Sequence, residues 1–178
     1  MLKKSLLSHI DTPCAAVHAF QVELARKPED QIMLRYRLAG DVTSILIPEP
    51  KPSLESDGLW RHTCFELFVG QRCSPAYYEF NFSPSGQWAA YAFSAYRERR
   101  PWTIGRPPDI AVTQSRNELL LTARITAAEL LSDSDAHSFQ LGVSAVVESI
   151  TGDLSYWALH HPCERPDFHD RSSFVCTL

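Results

Sequence analysis

Residues 59–96, LWRHTCFELFVGQRCSPAYYEFNFSPSGQWAAYAFSAY, alternate in character with a period of two through three successive runs. Neighbouring side chains of a strand point to opposite faces, so this spacing commits the stretch to sheet. The first run divides Arg61, Thr63, Phe65, Leu67 and Val69 from Trp60, His62, Cys64, Glu66 and Phe68. The second divides Tyr78, Phe80 and Phe82 from Tyr77, Glu79 and Asn81. A third follows the Ser83-Pro84-Ser85-Gly86 turn. It places Trp88, Ala90, Ala92, Ser94 and Tyr96 on one side, with small residues between the aromatics suggesting a shallow trough. One face of the stretch reads as core. The other gathers Trp60, His62, Glu66, Tyr77, Glu79, Asn81 and Trp88, an aromatic and polar mixture suited to holding a ligand, where a solvated face would be plainly charged.

The rest of the chain repeats the strand signature. Residues 16–26 and 32–38 form an expected hairpin around Lys27-Pro28-Glu29-Asp30, and residues 109–113 and 118–125 a second around Arg116-Asn117. Residues 139–150 read as an inner strand that Thr151-Gly152-Asp153 turns back into residues 154–159, and residues 174–178 as a last strand. The prolines of residues 48–58 make that segment a loop, because proline donates no ladder hydrogen bond. Residues 97–108 read as a second loop carrying the basic cluster Arg97, Arg99 and Arg100 with Trp102, and both loops flank the aromatic stretch as rims. Thr126 and Glu129 match a capping box and predict one short helix.

At 178 residues the chain fits one domain spanning its whole length. A net charge of -4 without a long Lys/Arg run argues against a nucleic-acid or membrane partner, since phosphate binding needs concentrated positive charge. The apolar part of residues 1–10 is too short for a signal-peptide core or a bilayer span, so a soluble cytoplasmic protein is expected. The five cysteines are odd in number and lack a CxxC pair, which suits reduced thiols.

Chemistry-bearing groups fall into three sets. Glu66 and Glu79 share a face on neighbouring strands, the pairing a glycoside hydrolase uses at ~5 Å for retention or ~6.5–9.5 Å for inversion. His160, His161 and His169, with Cys163 and nearby acids, are potential metal ligands, although their spacing matches no closed zinc motif. The tryptophans Trp60, Trp88, Trp102 and Trp157 supply the flat apolar surface that a sugar's C–H face needs beside hydrogen-bonding groups. No nucleophile elbow, P-loop, dinucleotide fingerprint or HExxH occurs.

The phrases LWRHTCFELFVG, YYEFNFSPSGQWAAYAFSAYR, SYWALHHP and RPDFHDRSSF resemble DOMON-like domain proteins, which are similar to family 9 carbohydrate-binding modules. The resemblance implies an all-β, antiparallel sandwich of immunoglobulin-like or jelly-roll type. It implies a sugar held between two tryptophans with acidic, amide and arginine groups around it, or haem in some relatives. Trp60 and Glu66 match the aromatic wall and its acidic partner, and Trp157 the second wall. Asn81 and Arg97 follow by strand neighbourhood.

The expectation is therefore a non-catalytic binder of a small ligand, a carbohydrate or sugar derivative, contacted by Trp60, His62, Glu66, Glu79, Asn81, Arg97 and Trp157. No cofactor is expected. The alternatives are a glycoside hydrolase built on Glu66 and Glu79, a haem or metal protein, and an interaction module that pairs as a homodimer through an exposed sheet edge.

Overall fold

The computed structural model describes residues 1–28, 30–126, 130 and 139–177. The first expected hairpin forms as β3 (Val17–Lys27) and β4 (Gln31–Gly40), paired antiparallel with Val22 opposite Tyr36 and Leu24 opposite Leu34. Val17 and Phe20 are both buried although two residues lie between them, because a bulge between Val17 and Ala19 shifts the register. Gly40 stands opposite Val17, where a Cβ would lie 2.0 Å from the Ala16 carbonyl oxygen, so no larger residue fits.

Two strands precede this hairpin, β1 (Leu2–Ser5) and β2 (Leu7–Ser8). The aromatic stretch gives β5 (Cys64–Gln71), β6 (Tyr77–Phe82) and β7 (Trp88–Ala95). Then follow β8 (Glu98–Arg100), β9 (Asp109–Gln114), β10 (Glu118–Thr126), β11 (Phe139–Glu148), β12 (Leu154–Ala158) and β13 (Cys176–Thr177). They build a five-stranded sheet ordered β1-β3-β4-β10-β9 and an eight-stranded sheet ordered β2-β12-β11-β5-β6-β7-β8, with β13 on β11. All strand pairings are antiparallel, and the architecture is the all-β sandwich expected.

Between the sheets lies a core in which Phe20, Leu24, Leu34, Tyr36, Leu119 and Leu121 of the smaller sheet meet Phe65, Leu67, Phe80, Phe82, Val143 and Val147 of the larger. Tyr36 is fully buried there, and its hydroxyl donates to the backbone carbonyl of Glu66 at 2.8 Å, satisfying a polar group in an apolar layer. The chain crosses from one sheet to the other at Leu6, 3% exposed, which sits between β1 and β2.

The larger sheet is covered on its outer face as well. Phe68, Tyr77 and Phe93 form a second apolar cluster there with Phe174, against which Phe168 packs, so the segment after β12 folds back as a cover. Its approach needs Gly142, where a Cβ would lie 2.8 Å from the Phe174 ring. Arg171 fastens the cover by donating to the carbonyls of Gln71 at 2.8 Å, Ala76 at 3.0 Å and Ser74 at 3.2 Å. At Gly70 beneath it a Cβ would lie 2.4 Å from the guanidinium, so a larger residue there would displace the Arg171 head group.

Several expectations change. The segment 97–108 is not all loop, because Glu98–Arg100 pairs with β7 as a two-residue hairpin closes at Tyr96-Arg97. The final strand shrinks to Cys176–Thr177, since Phe174 turns inward to cap the outer cluster. The helix expected around the Thr126 capping box lies outside the described residues. Among the described residues, no helix is long and apolar enough to cross a membrane.

Arg171→Ala removes the side chain that binds the cover to the β5–β6 turn. The expected result is a loss of about 2–4 kcal/mol in urea unfolding, with faster proteolytic cleavage in residues 160–175 than elsewhere.

Candidate functional site

The outer face of the larger sheet is set by cross-strand register. Glu66 stands opposite Asn81 on β6 and opposite Ser144 on β11; Glu79 stands opposite Phe68 on β5 and Tyr91 on β7. Glu66 and Glu79 are thus diagonal neighbours on one face, the offset at which Cβ atoms are about 7–8 Å apart. Together with Phe68, Phe93 and Val146 they floor a cavity of about 340 Å³. Trp60, Arg97 and Arg99 line its sides, and Tyr156, Pro166, Phe168 and His169 close it from the segment that covers the sheet.

The carboxyls are nearly sealed from water, Glu66 at 3% exposure and Glu79 at 6%. Glu66 accepts a hydrogen bond from the Ser144 hydroxyl at 2.9 Å, and Glu79 one from the Asn81 amide at 2.8 Å. Burial first, then the neighbouring Glu79, pushes Glu66 up to about 8, against a smaller pull from Ser144. Burial likewise raises Glu79 to about 7, while Asn81 and the more distant Arg99 and Arg97 act in the opposite direction.

Arg97 sits in the left-handed region, φ 56°, a conformation that costs a non-glycine residue energy and is held here by bonds on both sides. Its backbone N–H donates to the Tyr77 hydroxyl oxygen at 3.0 Å, and its guanidinium to Asp167 at 2.9 Å. Because the Tyr77 oxygen accepts from Arg97, its own proton is free for His169 Nδ1, 2.8 Å away. That assignment leaves the ring proton of His169 on Nε2, 3.7 Å from Glu79 Oε2. Burial and the charge of Arg97 depress His169 to about 4, with Asp167 pulling upward and Arg99 adding to the depression. The imidazole is therefore neutral near pH 7, and its contact with Glu79 is not an ion pair despite the short distance.

Of the residues singled out from sequence, Trp60, Glu66, Glu79 and Arg97 meet in this cavity. Trp60 lies in a 3-10 turn, Leu59–Arg61, and not in the strand, with its ring edge-on to Tyr91 at 6.0 Å. Asn81 is buried on the same face, opposite Glu66, and acts through Glu79. His62 lies apart, exposed and paired with Glu148 at 2.7 Å. Trp157 faces the core, packed 5.6 Å from Phe20 with its Nε1 donating to Ser155, so the opposite wall is its neighbour Tyr156. Trp88 also belongs to the core. The connection of residues 83–87 brings it opposite Phe82, and partners directly opposite share a face.

The same register, applied to β7, brings Tyr91 and Phe93 to the Glu79 side, a signal that face-by-face reading of single strands overlooks. Tyr156, Pro166 and Phe168 carried no such signal, since only the folding back of the covering segment places them.

His169 lines the cavity, whereas His160 is exposed and His161 pairs with the Leu7 carbonyl at 2.9 Å. Among the described residues no three His, Cys, Asp or Glu side chains cluster as a metal site. Met33 sits on β4 of the smaller sheet, away from the covering segment that carries these histidines, so the fold does not join a Met–His pair as axial ligands for haem.

No protein-family model matches the chain, and no curated protein matches it. A crystal structure from Bacteroides uniformis ATCC 8492, described as that of a "putative carbohydrate-binding protein", is similar in fold. Its TM-score is 0.70 at 18% identity, covering 98% of this chain and 84% of that one.

The raised carboxyls carry a signed pH dependence. Glu66 moves from 4.5 to about 8, so the stability its neutral form contributes is complete below 4.5 and is lost as pH rises through 8. Glu79 acts the same way up to about 7, whereas His169, depressed from 6.5 to about 4, destabilises as pH falls below 6.5. Unfolding midpoints are expected to fall between pH 6.5 and 8, and Glu66→Gln to flatten most of that slope.

Proposed function

We propose that the protein binds a carbohydrate or sugar derivative in the cavity over Glu66 and Glu79 without catalysing its conversion. The observation that carries this reading is the pairing of an aromatic lining, Trp60, Phe93, Tyr156 and Phe168, with two buried carboxyls on the floor. A pyranose needs both, a flat apolar surface for its C–H face and acceptors for its ring of hydroxyls. A cavity of 340 Å³ lies within the size range of small-molecule sites. The reading is supported by the description of the Bacteroides uniformis structure, whose fold the chain shares. It is also supported by the resemblance to DOMON-like domains and family 9 carbohydrate-binding modules. The contacts proposed are Trp60, Glu66, Glu79 and Arg97 from the original set, with Phe93, Arg99, Tyr156, Phe168 and His169 added.

Glycoside hydrolysis is the weaker reading on chemical grounds. It uses carboxyls on either side of the scissile bond whose environments drive their pKa values apart. Here both carboxyls lie side by side on one sheet, and burial raises both.

In a glycan screen followed by calorimetry, Trp60→Ala and Phe93→Ala are expected to weaken binding by about 10-fold or more. Trp157→Phe should lower thermal stability and leave affinity unchanged. If neither Trp60→Ala nor Phe93→Ala changed the affinity of a detected glycan, the site would lie elsewhere.

A further inference from the structure

Glu66 and Glu79 are more than nine-tenths buried, and among the described residues no hydrogen bond or ion pair joins either to an arginine or lysine. Among the described residues the one hydrogen bond to the Glu66 carboxyl comes from Ser144, and the side chain lines the cavity. Among the described residues the near polar neighbour of Glu79 Oε2 is the neutral His169 Nε2 at 3.7 Å.

The cations nearby are already matched. Arg97 is held by Asp167 at 2.9 Å, and Arg99 lies over the Tyr91 ring at 3.7 Å, with Asp57 at 3.6 Å. Burial keeps Cys64 and Tyr36 protonated and raises Tyr77 likewise, and thiols and phenols carry no positive charge in any form, so none of the three is a counter-ion. Phe68, Phe93 and Phe168 line the same cavity, and the faces of aromatic rings are electronegative. Paired carboxyls lacking a counter-ion, inside an aromatic enclosure, complement a cation in both charge and surface.

We propose that the ligand of this cavity carries a protonated amine, seated between Glu66 and Glu79, and that the ligand is an amino sugar with a free ammonium group. The sugar ring rests on the reading under Proposed function; the ammonium rests on the carboxyl pair alone. Bound ammonium stabilises both carboxylates, so binding releases protons from the glutamates to solvent and tightens as pH rises toward neutrality.

Isothermal titration with glucosamine, galactosamine and mannosamine, their N-acetyl forms, and cyclohexylammonium tests this at about pH 5.5 and about pH 7, where a sugar amine remains largely protonated. The expected result is that at least one amino sugar binds ~10-fold more tightly than its N-acetyl form and gains ~3-fold or more in affinity at the higher pH. Glu66→Gln, which preserves shape and the Ser144 contact, should remove that gain and lower amino-sugar affinity ~10-fold, a larger loss than the N-acetyl forms suffer. Equal or tighter binding of the N-acetyl forms overturns the ammonium and leaves the sugar reading standing. Cyclohexylammonium binding as tightly as the amino sugars supports the ammonium and overturns the sugar reading. Failure of every probe to bind overturns both.

Discussion

The outer face of the eight-stranded sheet is buried by the protein's own chain, and the site exists because of that cover. An antiparallel sheet in a sandwich ordinarily turns one face to water, and a glutamate there keeps its ordinary acidity. Here Phe174 and Phe168 seal the apolar part of the face, and Arg171 ties the segment to the carbonyls of the β5–β6 turn. Glu66 and Glu79 are thereby removed from solvent without being given a counter-charge. Their raised pKa values follow from this one packing event.

Hydrogen bonds place the polar groups of the cavity in fixed roles. Tyr77 accepts from the Arg97 backbone and donates to His169, which sets the proton on the nitrogen that faces Glu79. Asp167 accepts from Arg97 and from Tyr96, so the hairpin tip is tied to the covering segment by charge-assisted hydrogen bonds. The result is a neutral imidazole beside two buried acids that are both raised, which differs from the separated acid and base of hydrolytic chemistry.

The sheet and its two-sided character were legible in the sequence because alternation of residues such as Phe65, Leu67 and Val69 has one structural meaning. The Glu66 and Glu79 face was legible for the same reason. Trp88 was misplaced because alternation within a strand gives two faces without saying which is which; the pairing with Phe82, fixed by the length of the connection, decides it. Trp157 followed a motif likeness, but the register of β12 against Ala145 points it into the core and leaves Tyr156 outward. Phe168 and His169 could not be assigned at all, since their position depends on a tertiary fold-back that no local periodicity encodes. β1 and β2 escaped notice because each is short and they join different sheets.

Tyr36 belongs to the five-stranded sheet, yet its hydroxyl reaches through the core to the carbonyl of Glu66. The peptide unit that presents the cavity's most buried acid is thus anchored from the far layer. Substitutions that repack the interior around Tyr36 act on the position of that acid, even though they touch nothing in the cavity. Core and cavity in this fold are consequently one mechanical unit: a shift in interior packing reaches the cavity floor through a single hydrogen bond.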